Sequence, residues 1–335
     1  MRLRLSLPAL LALAIVCALS GAVPIAATRL HKQAAEAVSV PAADVRVAPP
    51  VGSTVRSSRV PRRPSAAVTA EHLDARPASA VPGESPLAGK GMWIWQMGRI
   101  AGGDPNKIVR NAVGLGITHV YVRVGSGTKG LNTLGQVAPI LPVAHRAGIK
   151  VIAWYFPYFN DIAGDVRRSR DAINSRYAGE TFDGFAADIE SAPGSALSAA
   201  TGAAYSRALR AAVPHAYLIV VPPRPSPHAL KTFPFDAIIP HYDAVAPMVY
   251  WGKYDPVQTT VDAIRFFAGR YGKPVAPIGQ AYDMGPEGGP KGNPPPWQSW
   301  AFMKASKEKG AVGVSFWVWE TATTPEFHSI REFPW

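Results

Sequence analysis

Phe182-Asp183-Gly184-Phe185-Ala186-Ala187-Asp188-Ile189-Glu190 is a short apolar run that ends in two carboxylates spaced i, i+2. Read as a β-strand, it sends alternate side chains to opposite faces, so Asp188 and Glu190 point the same way at its end. Two carboxylates about 7 Å apart along a pleat do not both ionise freely in a sheltered site, and one is pushed toward being a proton donor near neutral pH. Cleavage of a glycosidic bond by a general acid needs that preparation. The competing reading is a solvated loop start, and the surrounding chain decides between the two.

On both sides of this stretch, short β-branched or aromatic runs alternate with longer helical patterns. Strands are expected at 92–96, 118–124, 150–156, 184–190, 217–221, 244–251, 275–282 and 312–319. Helices are expected at 106–115, 137–147, 165–177, 196–212, 257–271 and 297–309, while the connection around 233–240 is short and poorly helical. Gly116, Gly148, Gly272 and Gly310 fall after helices and before strands, where a left-handed cap residue belongs. Eight β/α units spanning 89–335 predict a single (β/α)8 TIM barrel, for which about 250 residues is usual. A doubly wound open sheet would need a switch point, and the nearly even units show none.

Barrel enzymes place their chemistry at the C-terminal ends of the strands. Besides Asp188 and Glu190, those ends carry Trp95, Arg123, Tyr155, Tyr250, Trp251, Gln280, Tyr282, Asp283, Trp319 and Glu320. Aromatic faces stack on the C–H faces of sugar rings, and amides and carboxylates hydrogen-bond hydroxyls, so this inventory suits a carbohydrate. Trp95, Arg123, Tyr155, Trp251, Gln280, Tyr282, Asp283, Trp319 and Glu320 are therefore the expected substrate contacts, with about half the aromatic residues assigned to closing the barrel mouth. Asp283 and Glu320 are also the candidates for a second acid from across the mouth. A separation of about 5–5.5 Å from the first acid would mean retention and about 6.5–9.5 Å inversion.

Asp183-Gly184-Phe185-x-x-Asp188-x-Glu190 resembles the fourth-strand motif of family 18 glycoside hydrolases, the chitinase-like barrels, as do Met248-Val249-Tyr250 on strand six and Trp317 or Trp319 near the end of strand eight. The resemblance implies that Glu190 is the general acid, that Asp188 orients the substrate's N-acetyl group and that Tyr250 hydrogen-bonds the same group. Two positions depart from the pattern: Ala186 stands at the first motif aspartate and Trp251 at the aspartate after the strand-six tyrosine. Lysozyme-like family 25 barrels also end strand four in Asp-x-Glu, but they want an aspartate on strand one, where this chain has Trp93-Ile94-Trp95.

Before the barrel, residues 1–27 carry Arg2 and Arg4 ahead of a long apolar stretch and then small residues, which reads as a secretory signal peptide. An uncleaved anchor is the alternative, opposed by Pro8, Pro24 and the polar break at Ser20-Gly21. Residues 28–88 are rich in Pro, Ala, Val, Ser and Arg, lack aromatic residues and read as a disordered linker. The single cysteine, Cys17, lies in the signal segment, so a mature chain has no disulfide and no thiol chemistry. The net charge of +12 is spread out and comes with no arginine–aromatic motif, which argues against nucleic acid.

Gly125-Ser126-Gly127-Thr128-Lys129-Gly130 spells a dinucleotide-type fingerprint, but no clean helix follows it and the next strand ends in Tyr155-Phe156 rather than a ribose-binding acid. A barrel-top loop is the better reading. The histidines show no metal-ligating helical spacing and no Gly-x-Ser-x-Gly elbow occurs, so neither a metal, a cofactor nor an esterase is expected. Residues 284–297, rich in Gly and Pro, read as a substrate lid or a passive insertion. The chain is thus expected to be a monomeric, extracytoplasmic glycoside hydrolase acting on a polysaccharide or cell-wall glycan, touching a membrane only if the signal stays uncleaved. The alternative is a carbohydrate-binding barrel that has lost its chemistry.

Overall fold

A computed structural model describes residues 85–335. The signal segment and nearly all of the linker read from the sequence lie outside the described residues. The eight parallel strands are β1 (Gly89–Ile94), β2 (His119–Ser126), β3 (Lys150–Phe156), β4 (Gly184–Asp188), β5 (Leu218–Val221), β6 (Ala244–Val245), β7 (Ile278–Gln280) and β8 (Gly313–Trp317). Their order is β6-β5-β4-β3-β2-β1-β8-β7, so each strand neighbours the next in sequence and β1 joins β8. The ring closes between β6 and β7, where Val245 N donates to Pro274 O and Ala276 N to Val245 O, each at 2.9 Å. This is the (β/α)8 barrel expected from the alternation.

The two shortest strands have a simple cause. Pro247 and Pro277 bring no N–H to the ladder, so the expected strands at 244–251 and 275–282 are reduced to a few residues. Pairing resumes beyond them at the Met248↔Ile278 bridge. Helices cover the outside: α1 (Pro105–Gly114), α2 (Leu141–Arg146), α3 (Ile162–Ile173), α4 (Ala199–Ala212), α5 (Pro256–Tyr271), α6 (Pro296–Glu308) and α7 (Thr324–Glu332). The helix expected at 137–147 is broken into short pieces because Pro139 and Pro142 interrupt its ladder, leaving only α2 at its end. The fifth connection has two single helical turns, packed through the buried Phe233 and Phe235. Gly116, Gly148, Gly272 and Gly310 all have positive φ, as their cap positions require.

Strand alternation divides the core in two. Outward residues such as Val120, Val122, Phe185 and Phe316 pack under the helices, while Trp93, Tyr121, Ile152, Ala186, Ile219, Ala244 and Ala276 fill the barrel. The lower end is tightly shut. Leu87 is fully buried there, and a Cβ on Gly313 would lie 1.7 Å from its carbonyl oxygen. The linker boundary at 88 is therefore too late, since Leu87 is a barrel residue and Ser85 Oγ lies 3.1 Å from Tyr217 Oη. Lys90 Nζ donates to Ile330 O at 2.6 Å and Phe333 O at 2.8 Å, placing a cation at the C-terminal end of α7. No helix among the described residues is long and apolar enough to cross a membrane.

Candidate active site

At the strand C-termini the barrel opens into a cleft of about 900 Å³, part of it open solvent. Its base is aromatic. Trp93, Trp154 and Trp317 converge with ring centres 5.6–5.9 Å apart, and Trp93 also stacks on Tyr121 at 4.0 Å. Their positions are fixed by hydrogen bonds: Trp93 Nε1 donates to Ser315 Oγ at 2.9 Å and Trp154 Nε1 to Ile94 O at 3.3 Å. Trp95, Phe156 and Tyr158 continue the aromatic wall upward. Trp317, whose peptide bond to Val318 is cis, is thus the strand-eight tryptophan that faces the cleft.

Asp188 and Glu190 project into this cleft from the end of β4, as the i, i+2 spacing requires, and both are buried. Asp188 hydrogen-bonds the Glu190 carboxyl, a contact that needs a proton on one of the two groups. Burial pushes Asp188 up to about 7, while the bond to Glu190 and the nearby Arg123 charge pull it the other way. Tyr250 stands beside the pair from the strand-six end, its ring edge-on to Tyr282 at 5.5 Å. Burial and the neighbouring Tyr282, Glu190 and Asp188 push its phenol upward, so it stays a hydrogen-bond donor. Ala186 sits two residues below Asp188 on the same face, fully buried, where an ionised carboxylate would lose its hydration.

Arg123 forms the β2 side of the cleft, with its guanidinium carbon 5.8 Å from the Trp154 ring centre. A bulge between Arg123 and Gly125 re-aims the strand end, and the turn that follows closes through Ser126 N to Gly130 O at 3.0 Å. A Cβ on Gly125 would lie 2.0 Å from Gly130 O, so this close approach needs glycine. The glycine-rich motif is accordingly a barrel-top loop that brings Ser126, Thr128 and Lys129 to the cleft.

Of the sequence-predicted substrate contacts, Trp95 and Arg123 reach the cleft and seven do not line it. Tyr155 alternates outward between Trp154 and Phe156 and donates to Asp165 Oδ1 at 2.7 Å under α3. Trp251 also turns outward, fully buried, donating to Gln298 Oε1 at 2.9 Å and packing on Phe302. Gln280 accepts from Gly252 N at 3.0 Å and donates to Tyr282 O at 3.1 Å, which ties two strand ends together. Tyr282 backs Tyr250 from behind, and Trp319 is buried against Phe327. Asp283 is exposed and accepts from Gly285 N and Gly292 N, each at 2.7 Å, so it shapes the following loop. Glu320 accepts from Gln96 N and is pushed up to about 7 by burial, outside the cleft lining.

Sequence reasoning missed Trp93, Trp154 and Met248 as cleft residues, although strict alternation from Trp95, Phe156 and Tyr250 points to all three. It also missed Glu287, which lies outside the cleft lining and supports Tyr282. This carboxylate accepts from Tyr282 Oη at 3.1 Å and is pushed up to about 7 by burial. Its loop, at 284–297, is pinned by Asn293 Nδ2, which donates to Thr321 O and Glu326 Oε2. No group of His, Cys, Asp and Glu among the described residues is arranged to hold a metal ion.

No protein-family model matches the sequence, and neither does any curated protein. Solved structures do match the fold, a TIM barrel that several glycoside hydrolases and a chitinase-like agglutinin share. The endo-β-1,4-mannanase from Thermotoga petrophila aligns with a TM-score of 0.54 at 12% identity, covering 74% of this chain and 76% of that one. A family 18 N-acetylglucosaminidase from Paenibacillus barengoltzii aligns at 0.50 and 12% identity, over 73% of this chain and 99% of its own. A chitinase-like agglutinin from Robinia pseudoacacia aligns at 0.51 and 14% identity, over 72% and 98%. At these identities the likeness shows a shared fold.

Proposed function

We propose that this protein is an extracytoplasmic glycoside hydrolase acting on a polysaccharide or cell-wall glycan. One observation carries the reading: two hydrogen-bonded carboxyls, that of Asp188 pushed up by burial, project into a cleft whose walls are tryptophan and tyrosine. Glu190 donates its proton to the glycosidic oxygen as the bond breaks. Asp188 holds that carboxyl in place and shares its proton, so the pair acts as one acid. Tyr250 donates to a substrate group beside the pair, and Trp93, Trp154 and Trp317 stack on sugar rings. A separate nucleophile from Asp283 or Glu320 is not part of the proposal, because neither lines the cleft. A nucleophile must then come from the substrate or from water. The extracytoplasmic setting rests on the signal-like pattern of residues 1–27.

Ala186 favours a second reading, a carbohydrate-binding barrel without catalysis, since the motif acid closest to Asp188 is replaced by a buried methyl group. An agglutinin shares the fold. Incubating the chain and its Glu190→Gln variant with chitin, peptidoglycan and α- and β-linked glucans separates the two. The hydrolase reading expects new reducing ends with one of these glycans from the parent chain alone. Binding without hydrolysis, indifferent to Glu190→Gln, would support the binding barrel instead.

A further inference from the structure

The cleft has an acidic side and a basic one, and the basic side is incomplete. Arg123 and Lys129 both line it, and neither forms an ion pair or hydrogen bond through its side chain among the described residues. Arg123 Nε is buried and has no acceptor. Its contact with Trp154 engages the charge but consumes no N–H donor. A buried guanidinium donor without a partner is costly, so this N–H is available to an acceptor from outside the chain. Asp188 attracts Arg123 only at longer range, and its own hydrogen bond is made with Glu190. Proton sharing within that pair further reduces the negative charge facing the two cations.

The neighbouring polar groups have the same character. Ser126 and Thr128, with hydroxyl oxygens 3.4 Å apart, stand on the same turn as Lys129 and offer donors beside the cations. A planar guanidinium fork, an ammonium and hydroxyls together fit a carboxylate far better than a neutral hydroxyl. We propose that the β2 side of the cleft receives a carboxylate carried by the substrate sugar, so that the glycan is acidic. A uronic acid and a ring bearing a carboxyalkyl ether, as in muramic acid, supply the same chemistry. This inference rests on the glycan-cleft reading above and adds the substrate's charge to it.

The test is calorimetric titration of the full-length Glu190→Gln chain with an oligouronide and a muramic-acid-containing oligosaccharide. Each is compared with the same compound after its carboxyls are reduced to alcohols. One acidic ligand is expected to bind at least about tenfold tighter than its reduced form at low salt, with the gap narrowing as salt screens the cations. Which ligand shows the gap identifies the carboxylate's source. Adding Arg123→Gln should close the gap, and Arg123→Lys should keep part of it. If Arg123→Gln fails to fold, the salt series and Arg123→Lys still decide. Equal affinity for acidic and reduced forms, or a gap untouched by Arg123→Gln, would overturn the inference while leaving the glycosidase reading intact. Absence of binding to any of these glycans, together with no hydrolysis of the wider panel, would overturn both.

Discussion

The lower and upper halves of the barrel interior are built from the same eight strands and the same inward alternation, yet they hold opposite chemistry. Below, Leu87, Ile152, Ala186, Ile219 and Ala276 fill the space completely. Two residues further along the same strands, Trp154, Asp188, Val221 and Ile278 border open space, and the charged side chains of Arg123, Lys129, Asp188 and Glu190 share one cleft. Burying the two carboxyls and the guanidinium opposes folding, and the filled lower half compensates for it. The lower half decides whether the barrel stands, and the upper half decides what it does.

The largest way to break that division is in the lower half. Ile152→Ala should cost about 2–5 kcal/mol of stability in a denaturant titration, because the packed interior cannot collapse around the lost methylenes. In the upper half, Glu190→Gln should lower the hydrolytic rate at least about a hundredfold, since a positioned general acid contributes about 10²–10⁴. Its melting temperature should stay within a few degrees of the parent's, because the amide keeps the carboxyl's shape. Smaller again, Trp317→Ala should weaken glycan binding by about 1–2 kcal/mol through lost stacking. Trp251→Ala, by contrast, should act on stability, since that indole packs beneath α6.

The smallest expected effect sharpens the comparison through pH. Glu320 is held up to about 7 from an ordinary 4.5 by burial. The folded state therefore binds its proton more tightly than the unfolded chain does. The stabilisation this gives is complete below about 4.5 and is lost as pH rises through about 7. Glu320→Gln should accordingly flatten the decline of the melting temperature between those two values, relative to the parent chain. A decline of unchanged slope would show that Glu320 ionises freely in the fold.

Much of this architecture was legible in the sequence. Four glycines at positive φ marked helix ends, and the run from Phe182 to Glu190 placed both acids on one face. The site was legible where alternation continues regularly to the strand end, as at Trp95, Arg123, Asp188 and Glu190. It was misread where a strand-end residue was counted without its face. Tyr155 and Trp251 are aromatic and terminal, but they belong to the outward set. Asp283 and Glu320 are acids at the right depth that each accept backbone N–H donors on one oxygen, a use that composition does not reveal. Glu287, which holds Tyr282 behind the cleft wall, escaped notice because its loop has no periodicity to follow.

The central claim is that Asp188 and Glu190 work as one proton-sharing acid, and a pH–rate profile tests it most directly. Asp188 is held near 7 while bonded to Glu190, so hydrolysis of a cleaved glycan should fall as pH rises through about 7. Asp188→Asn removes the neighbouring charge, and its residual activity should fall at lower pH than the parent's. A parent rate that stays flat as pH rises well past 7, or an Asp188→Asn profile with its basic limb unmoved, would contradict the account.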